Sequence, residues 1–330
     1  MQRFKNILLV CDNDSIHDAL VEKAIWLAAK NSARITLLDI MDAPASELAR
    51  FFSALPGRGN ATLEHELKEH HRHRLGLLAE KFRAAGIETQ QIILEGIGFI
   101  EIIKRVLTHN HDLVMKGVSA AVSDSLFFAS SDMHLLRKCP CPVLLMKKAR
   151  RRQHARVLAA VDPDPGEWQR DALNTLIMDL ATSLSEADDS ELHVVNAWEF
   201  AAESTLRHSG FARIPGEEVD RLSRAERKRK KANLDLLLEG YAIADRKRQV
   251  HLLKGEARKI IPEFARRKRA ELIVMGTVGR TGVQGFFIGN TAEEILSQVE
   301  CSVLAVKPPG FESPVKADTP ANTDMTVPAP

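Results

Sequence analysis

The sequence predicts an α/β chain in which one doubly wound, parallel-sheet domain occurs twice. Three observations predict it. Short apolar runs such as Ile7–Cys11, Val157–Val161 and Leu272–Met275 lack polar alternation, as parallel strands buried on both faces do. Longer stretches between them carry apolar residues at helical spacing: Leu20, Ala24, Leu27 and Ala28 in the first half, Leu173, Leu176, Ile177 and Leu180 in the second. Finally, four blocks recur in the same order. Lys5–Asp12 returns as Arg156–Asp162, each an apolar run ending in Asp. Glu95-Gly96 returns as Lys254-Gly255, followed by Ile102-Ile103 or Ile260-Ile261. Asp112–Gly117 returns as Glu271–Gly276, and Cys141–Lys147 as Cys301–Lys307. Each half therefore reads as five strands separated by helices, the pattern of a sheet covered by helices on both faces.

The bulk properties agree. A chain of 330 residues has room for two domains, and 45% hydrophobic residues can build two cores. Charged residues make up 27%, but the net charge is only +2, so no global field draws the chain to nucleic acid or an anionic membrane. The first apolar run, Ile7–Cys11, is too short for the core of a secretory signal and stops at Asp12. No stretch approaches the roughly 20 apolar residues that span a bilayer. A soluble, cytoplasmic protein is expected. Of the four cysteines, Cys11 and Cys301 lie in apolar runs, whereas Cys139-Pro140-Cys141 is spaced poorly for zinc and awkwardly for a disulfide. All four read as reduced thiols, most of them buried.

The expected domains are residues 1–148 and 154–308. The basic stretch Lys147–His154 between them reads as a solvated connector. Residues 309–330 are polar and rich in Pro and Thr, with too little apolar content to fold, and read as a disordered tail.

The segment with most chemical content is Met275–Glu294. It follows a strand and leads into a helix, and it carries Gly276, Gly279 and Gly289. Glycines permit positive φ and close approach of a ligand to the main chain, and a helix N-terminus presents unpaired N–H groups that suit phosphate. The segment has no Gly-Lys-Ser/Thr, so it is not a P-loop, and it is not G-x-G-x-x-G. A purely structural reading stands beside the ligand reading: the glycines make turns, and Thr291-Ala292-Glu293-Glu294 forms a capping box.

This segment resembles the G-x-x-G-x9-G-[S/T] loop of the universal stress protein family. Gly276, Gly279 and Gly289 match its glycines. Asn290 stands at the hydroxyl position, with Thr291 directly after it. The resemblance covers both halves. It implies strand order 3-2-1-4-5 in each, and pairing of the halves as a pseudo-dimer through the last strands, Val143–Met146 and Val303–Val306; a homodimer would extend the same habit. It also implies an ATP or related adenine-nucleotide site in the second half, formed by Asp162, Met275, Gly276, Gly279, Arg280, Gly289, Asn290 and Thr291. In that family the aspartate corresponding to Asp162 contacts the adenine end. From the residues alone, Asp162 before Pro163 reads equally well as a turn residue. The first half is degenerate, with Ala120, Ser130, Ser131 and Asp132 at the positions of Gly279, Gly289, Asn290 and Thr291. Asp132 is expected to repel phosphate there.

Three other features read more plainly. His65, Glu66, Glu69, His70, His71 and His73 form an exposed, charge-laced helix rather than a zinc site. The basic run Arg221–Lys231 lacks the interleaved aromatics that stack on bases, so no nucleic-acid partner is expected. Trp26 and Trp168 read as core or rim packing. No G-x-S-x-G, H-E-x-x-H or paired-carboxylate pattern points to catalysis, and no metal is predicted. The resemblance implies a ligand-responsive stress module that supports survival under growth arrest, oxidative stress or DNA damage. Its alternatives are a slow ATP-hydrolysing enzyme and a nucleotide-free interaction protein. The partners are a small-molecule ligand and proteins that the sequence does not name.

Overall fold

A computed structural model describes residues 3–12, 16–41, 60–118, 128, 130–147, 156–208, 214–241, 248–278 and 289–317. The chain divides into two compact units. The first holds β1 (Asn6–Val10), α1 (Asp18–Asn31), β2 (Arg34–Met41), α2 (Asn60–Ala84), β3 (Thr89–Glu95), α3 (Gly98–His109), β4 (Leu113–Gly117), α4 (Ser130–Lys138) and β5 (Val143–Met146). All its strand pairs are parallel, in the order β3-β2-β1-β4-β5.

The second unit repeats the plan with β6 (Arg156–Ala160), α5 (Trp168–Asp188), β7 (Glu191–Trp198), α6 (Glu203–His208), α7 (Gly216–Leu238), β8 (Arg248–Lys254), α8 (Ala257–Lys268), β9 (Leu272–Gly276), α9 (Asn290–Leu296) and β10 (Ser302–Val306). Its parallel order is β8-β7-β6-β9-β10, the same 3-2-1-4-5 arrangement that the family resemblance implies.

The unalternated strands are buried as expected: every residue of β1, β4, β5 and β10 is inside. Helices supply one apolar face each; α3 buries Ile102, Ile103 and Val106 against its sheet.

The repeat extends to backbone conformations that no hydrophobic pattern encodes. Helices α1 and α5 both end in a left-handed residue, Ser32 at φ 48° and Asp189 at φ 52°. Helices α3 and α8 do the same at Asn110, φ 52°, and Arg269, φ 51°. Gly96 (φ 146°) and Gly255 (φ 137°) make the same turn after β3 and β8, a region that side chains rarely enter. A Cβ on Gly255 would also stand 2.8 Å from Ile260 Cγ1.

Some sequence expectations are corrected. The α2 helix is not simply solvated: His71 Nδ1 lies 2.5 Å from the fully buried carboxylate of Asp39, which Arg74 also binds. Trp168 is exposed rather than packed, and Trp26 is half-buried with Lys23 Nζ 4.1 Å from its ring centroid. The cysteines are mostly buried as expected: Cys11, Cys139 and Cys301 are inside, and Cys141 is partly buried. Residues 311–317 are described without helix or strand, while most of the connector and residues 318–330 lie outside the described residues.

Candidate functional site

In a doubly wound sheet, ligands bind beyond the carboxyl ends of the strands where the strand order reverses. In the second unit that point lies between β6 and β9, which pair with Ala160 opposite Met275. The register sets the end of β6, with Val161 and Asp162, beside the end of β9, with Gly276 and Thr277.

Asp162 is held tightly. Its amide donates to Asn174 Oδ1 at 2.8 Å, and its carbonyl accepts from Arg170 Nε at 2.7 Å. Its carboxylate takes a second Arg170 nitrogen and, at 3.3 Å, Lys230 Nζ. Arg170 also reaches Asp164 at 3.1 Å. Asp162 is thus neither a bare turn residue nor an open acceptor. It is the centre of a cluster built from the first turn of α5 and the middle of α7.

Sequence reasoning missed both cations. Arg170 follows Asp162 by eight positions but shares no motif with it. Lys230 was hidden in a basic run whose other members behave as read. Arg221, Arg229 and Lys231 pair along the helix with Glu218, Glu226 and Asp235, whereas the Lys230 side chain is only 9% exposed.

The glycine segment is partly described. Gly279 and Arg280 lie outside the described residues. Met275 is buried in the sheet. Gly276 has no positive φ, and the reason for glycine there is internal, since an added Cβ would meet Leu173 Cδ2 of α5 at 2.7 Å. The two ends of the loop are tied together, because the Gly289 amide donates to the Thr277 carbonyl at 3.0 Å. Thr277 is itself fully buried, and Lys307 Nζ donates to its hydroxyl.

Gly289 is the N-cap of α9 in an extended conformation, φ −63° and ψ 137°, without a side-chain cap bond. The capping box is therefore not formed by Thr291. Its Glu294 pairs instead with Arg258 of α8 at 3.1 Å. Asn290 and Thr291 are exposed at the start of the helix. The first intrahelical bond runs from the Glu293 amide to the Gly289 carbonyl, so the amides ahead of it have no acceptor within the helix.

The first unit fills the corresponding place with its own charges. Lys116 stands where Met275 stands in the second unit, and it is buried. Its ammonium lies 3.0 Å from Asp132 Oδ1 and 3.3 Å from Asp12 Oδ2. Burial works against its charge, but the two carboxylates outweigh burial and raise its pKa above the ordinary lysine value. Asp132 is thus not the bare charge that would repel phosphate at this helix start. It is 1% exposed and neutralised by Lys116. Among the described residues, no three His, Cys, Asp or Glu side chains gather as a metal site, and no helix is long and apolar enough to cross a membrane.

The fold and the repeated switch point define a tandem, doubly wound α/β protein. The Universal stress protein family matches residues 3–147 and again residues 154–307, and the chain belongs to that family. It is similar over nearly its whole length to universal stress protein E. It is 28% identical over 322 residues to that of Photorhabdus laumondii, covering 96% of this chain and 99% of the relative. It is 26% identical over 325 residues to that of Escherichia coli K12, covering 96% and 98%. A solved structure of a functionally unknown protein from Pseudomonas aeruginosa PAO1 superposes with a TM-score of 0.69 at 25% identity, over 93% of this chain and 94% of that one. A universal stress protein from Archaeoglobus fulgidus shares the fold at 18% identity and a TM-score of 0.59, over 91% and 98%.

Proposed function

We propose that this chain is a cytoplasmic stress-response module that binds ATP or a related adenine nucleotide in its second unit and acts through binding rather than catalysis. Family membership supports the stress-response role. The nucleotide reading is carried by one observation: Asp162 lies just beyond β6 and Gly276 ends β9, neighbouring parallel strands at the switch point, and Gly276 opens a glycine segment with the family's spacing. In this reading Asp162 orients the base end. Gly276, Gly279, Arg280, Gly289, Asn290 and Thr291 form the phosphate end, with Met275 contributing main chain only. The first unit, closed by Lys116, binds no nucleotide, and the two units pair as the family's domains do. Growth arrest, oxidative stress and DNA damage are the conditions under which the module serves survival.

A second reading, a nucleotide-free interaction protein, is favoured by the saturation of the Asp162 carboxylate by Arg170 and Lys230. Mass spectrometry of small molecules released from freshly purified, denatured protein separates the two, together with titration of the full chain with ATP. Released adenine nucleotide and one site per chain support the first reading; no ligand and no heat of binding support the second. Turnover of the bound ATP would point to slow hydrolysis instead.

A further inference from the structure

Helix α4 ends at Lys138, and the chain enters β5 through Cys139-Pro140-Cys141-Pro142. The Cys139 amide closes the helix on the Leu135 carbonyl at 2.9 Å, and the Pro142 carbonyl already accepts the Val114 amide at 3.0 Å. Both cysteines precede a proline, which disfavours helical backbone angles at each, and each proline has a fixed φ. The chain bends at Pro140 and Cys141 on its way into β5. The two sulfurs meet at 3.6 Å, in a segment anchored at both ends. They are unequal. Cys139 is buried, whereas Cys141 is partly exposed.

We propose that Cys139 and Cys141 are a reversible dithiol–disulfide pair, a redox-sensitive site at the entrance to β5. The oxidant is hydrogen peroxide. The Cys141 thiolate attacks the terminal peroxide oxygen, and the O–O bond breaks. Cys141 becomes a sulfenic acid, and the leaving hydroxide takes up the proton that the Cys141 thiol released on ionising and departs as water. Cys139 then gives up its proton and attacks the Cys141 sulfur. The S–O bond breaks, and the hydroxide takes that proton to leave as a second water. Two thiols and one hydrogen peroxide thus become one disulfide and two waters. Loss of entropy is small, because the chain already holds the sulfurs together. A bridge across a single residue is strained, and strained disulfides are readily reduced, as a regulatory bond must be.

The same contact sets the rate. The bond to Cys139, followed by burial, holds the Cys141 thiol well above the ordinary thiol range. Since only the thiolate reacts, oxidation is slow at neutral pH and accelerates as pH rises.

The test uses the intact chain. Protein is treated with hydrogen peroxide at pH 7 and pH 9, alkylated under denaturing conditions and digested after lysine and arginine. Cleavage after Lys138 and Lys147 yields one peptide, Cys139–Lys147, that holds both cysteines and no other. The expected product is this peptide two hydrogens lighter and unalkylated. It should form several-fold faster at pH 9 and regain two alkyl groups after dithiothreitol. In Cys139→Ser, dimedone should trap Cys141 as the sulfenic acid. Four free thiols after peroxide, loss confined to Cys11 or Cys301, or Cys141 oxidised to sulfinic acid while Cys139 stays free would each overturn the proposal.

Discussion

Lys116 Nζ lies 3.0 Å from Asp132 Oδ1, and the pair occupies in the first unit the positions that Met275 and Thr291 hold in the second. An ion pair at this depth is costly to break from one side, since the partner is left charged and dry. Lys116→Met should therefore destabilise the chain by about 3–5 kcal/mol. The double change Lys116→Met with Asp132→Thr installs the second unit's residues and should recover most of that loss. Urea denaturation of the single and double variants measures both. A double variant no more stable than the single one would show that Asp132 is not the partner that matters.

Nucleotide stoichiometry in the intact chain should be one. Gly289→Asp should remove binding without unfolding α9, because aspartate is a favoured N-cap and Gly289 already sits there at φ −63°. A carboxylate about 4 Å from a phosphate repels it by about 4 kcal/mol at an effective dielectric near 20, roughly a thousandfold in affinity. Ser130→Asp in the first unit should leave binding unchanged. Isothermal titration with ATP checks all three statements, and two equal sites per chain would overturn the assignment to the second unit.

Acid should loosen the fold through two histidines. His111 is buried, with its Nδ1 3.3 Å from the Asn6 carbonyl. Burial above all, and then Arg105, His109 and Arg34, bring its pKa from 6.5 to about 4 despite that hydrogen bond. His251 shares a 3.2 Å contact with His193; burial first, then His193, Lys268 and Arg267, bring it likewise to about 4. Between these values the unfolded chain binds protons that the folded chain refuses. The stabilisation is thus complete above pH 6.5 and is lost as pH falls toward 4. For His111 the loss by pH 4 is roughly 2–3 kcal/mol. His111→Gln keeps a hydrogen-bond donor for Asn6 and should flatten the urea midpoint between pH 7 and pH 4.5; an unchanged slope would exclude His111 as a source.

Two positions with positive φ should respond oppositely to substitution. Gly255→Ala adds a Cβ at φ 137° against Ile260, and should cost about 1–3 kcal/mol. Arg269→Gly relieves a side chain held at φ 51° at the end of α8, and should stabilise by a few tenths to about 1 kcal/mol. Differential scanning calorimetry reads both signs.

The sequence by itself determined the duplicated α/β plan, because unalternated apolar runs and helical periodicity are local patterns and survive repetition. It also located the glycine segment and Asp162, since a strand end and its turn lie together in the chain. Tertiary structure decided what those residues touch. Arg170 and Lys230 converge on Asp162 from two helices, one of them 68 residues away in sequence. Leu173 explains Gly276, and Lys116 neutralises both Asp12 and Asp132. None of these contacts has a sequence signature, because each depends on how a helix face packs over a strand end. A basic run reads the same whether one of its lysines faces water or turns inward, and only the packed fold turns Lys230 toward the crevice.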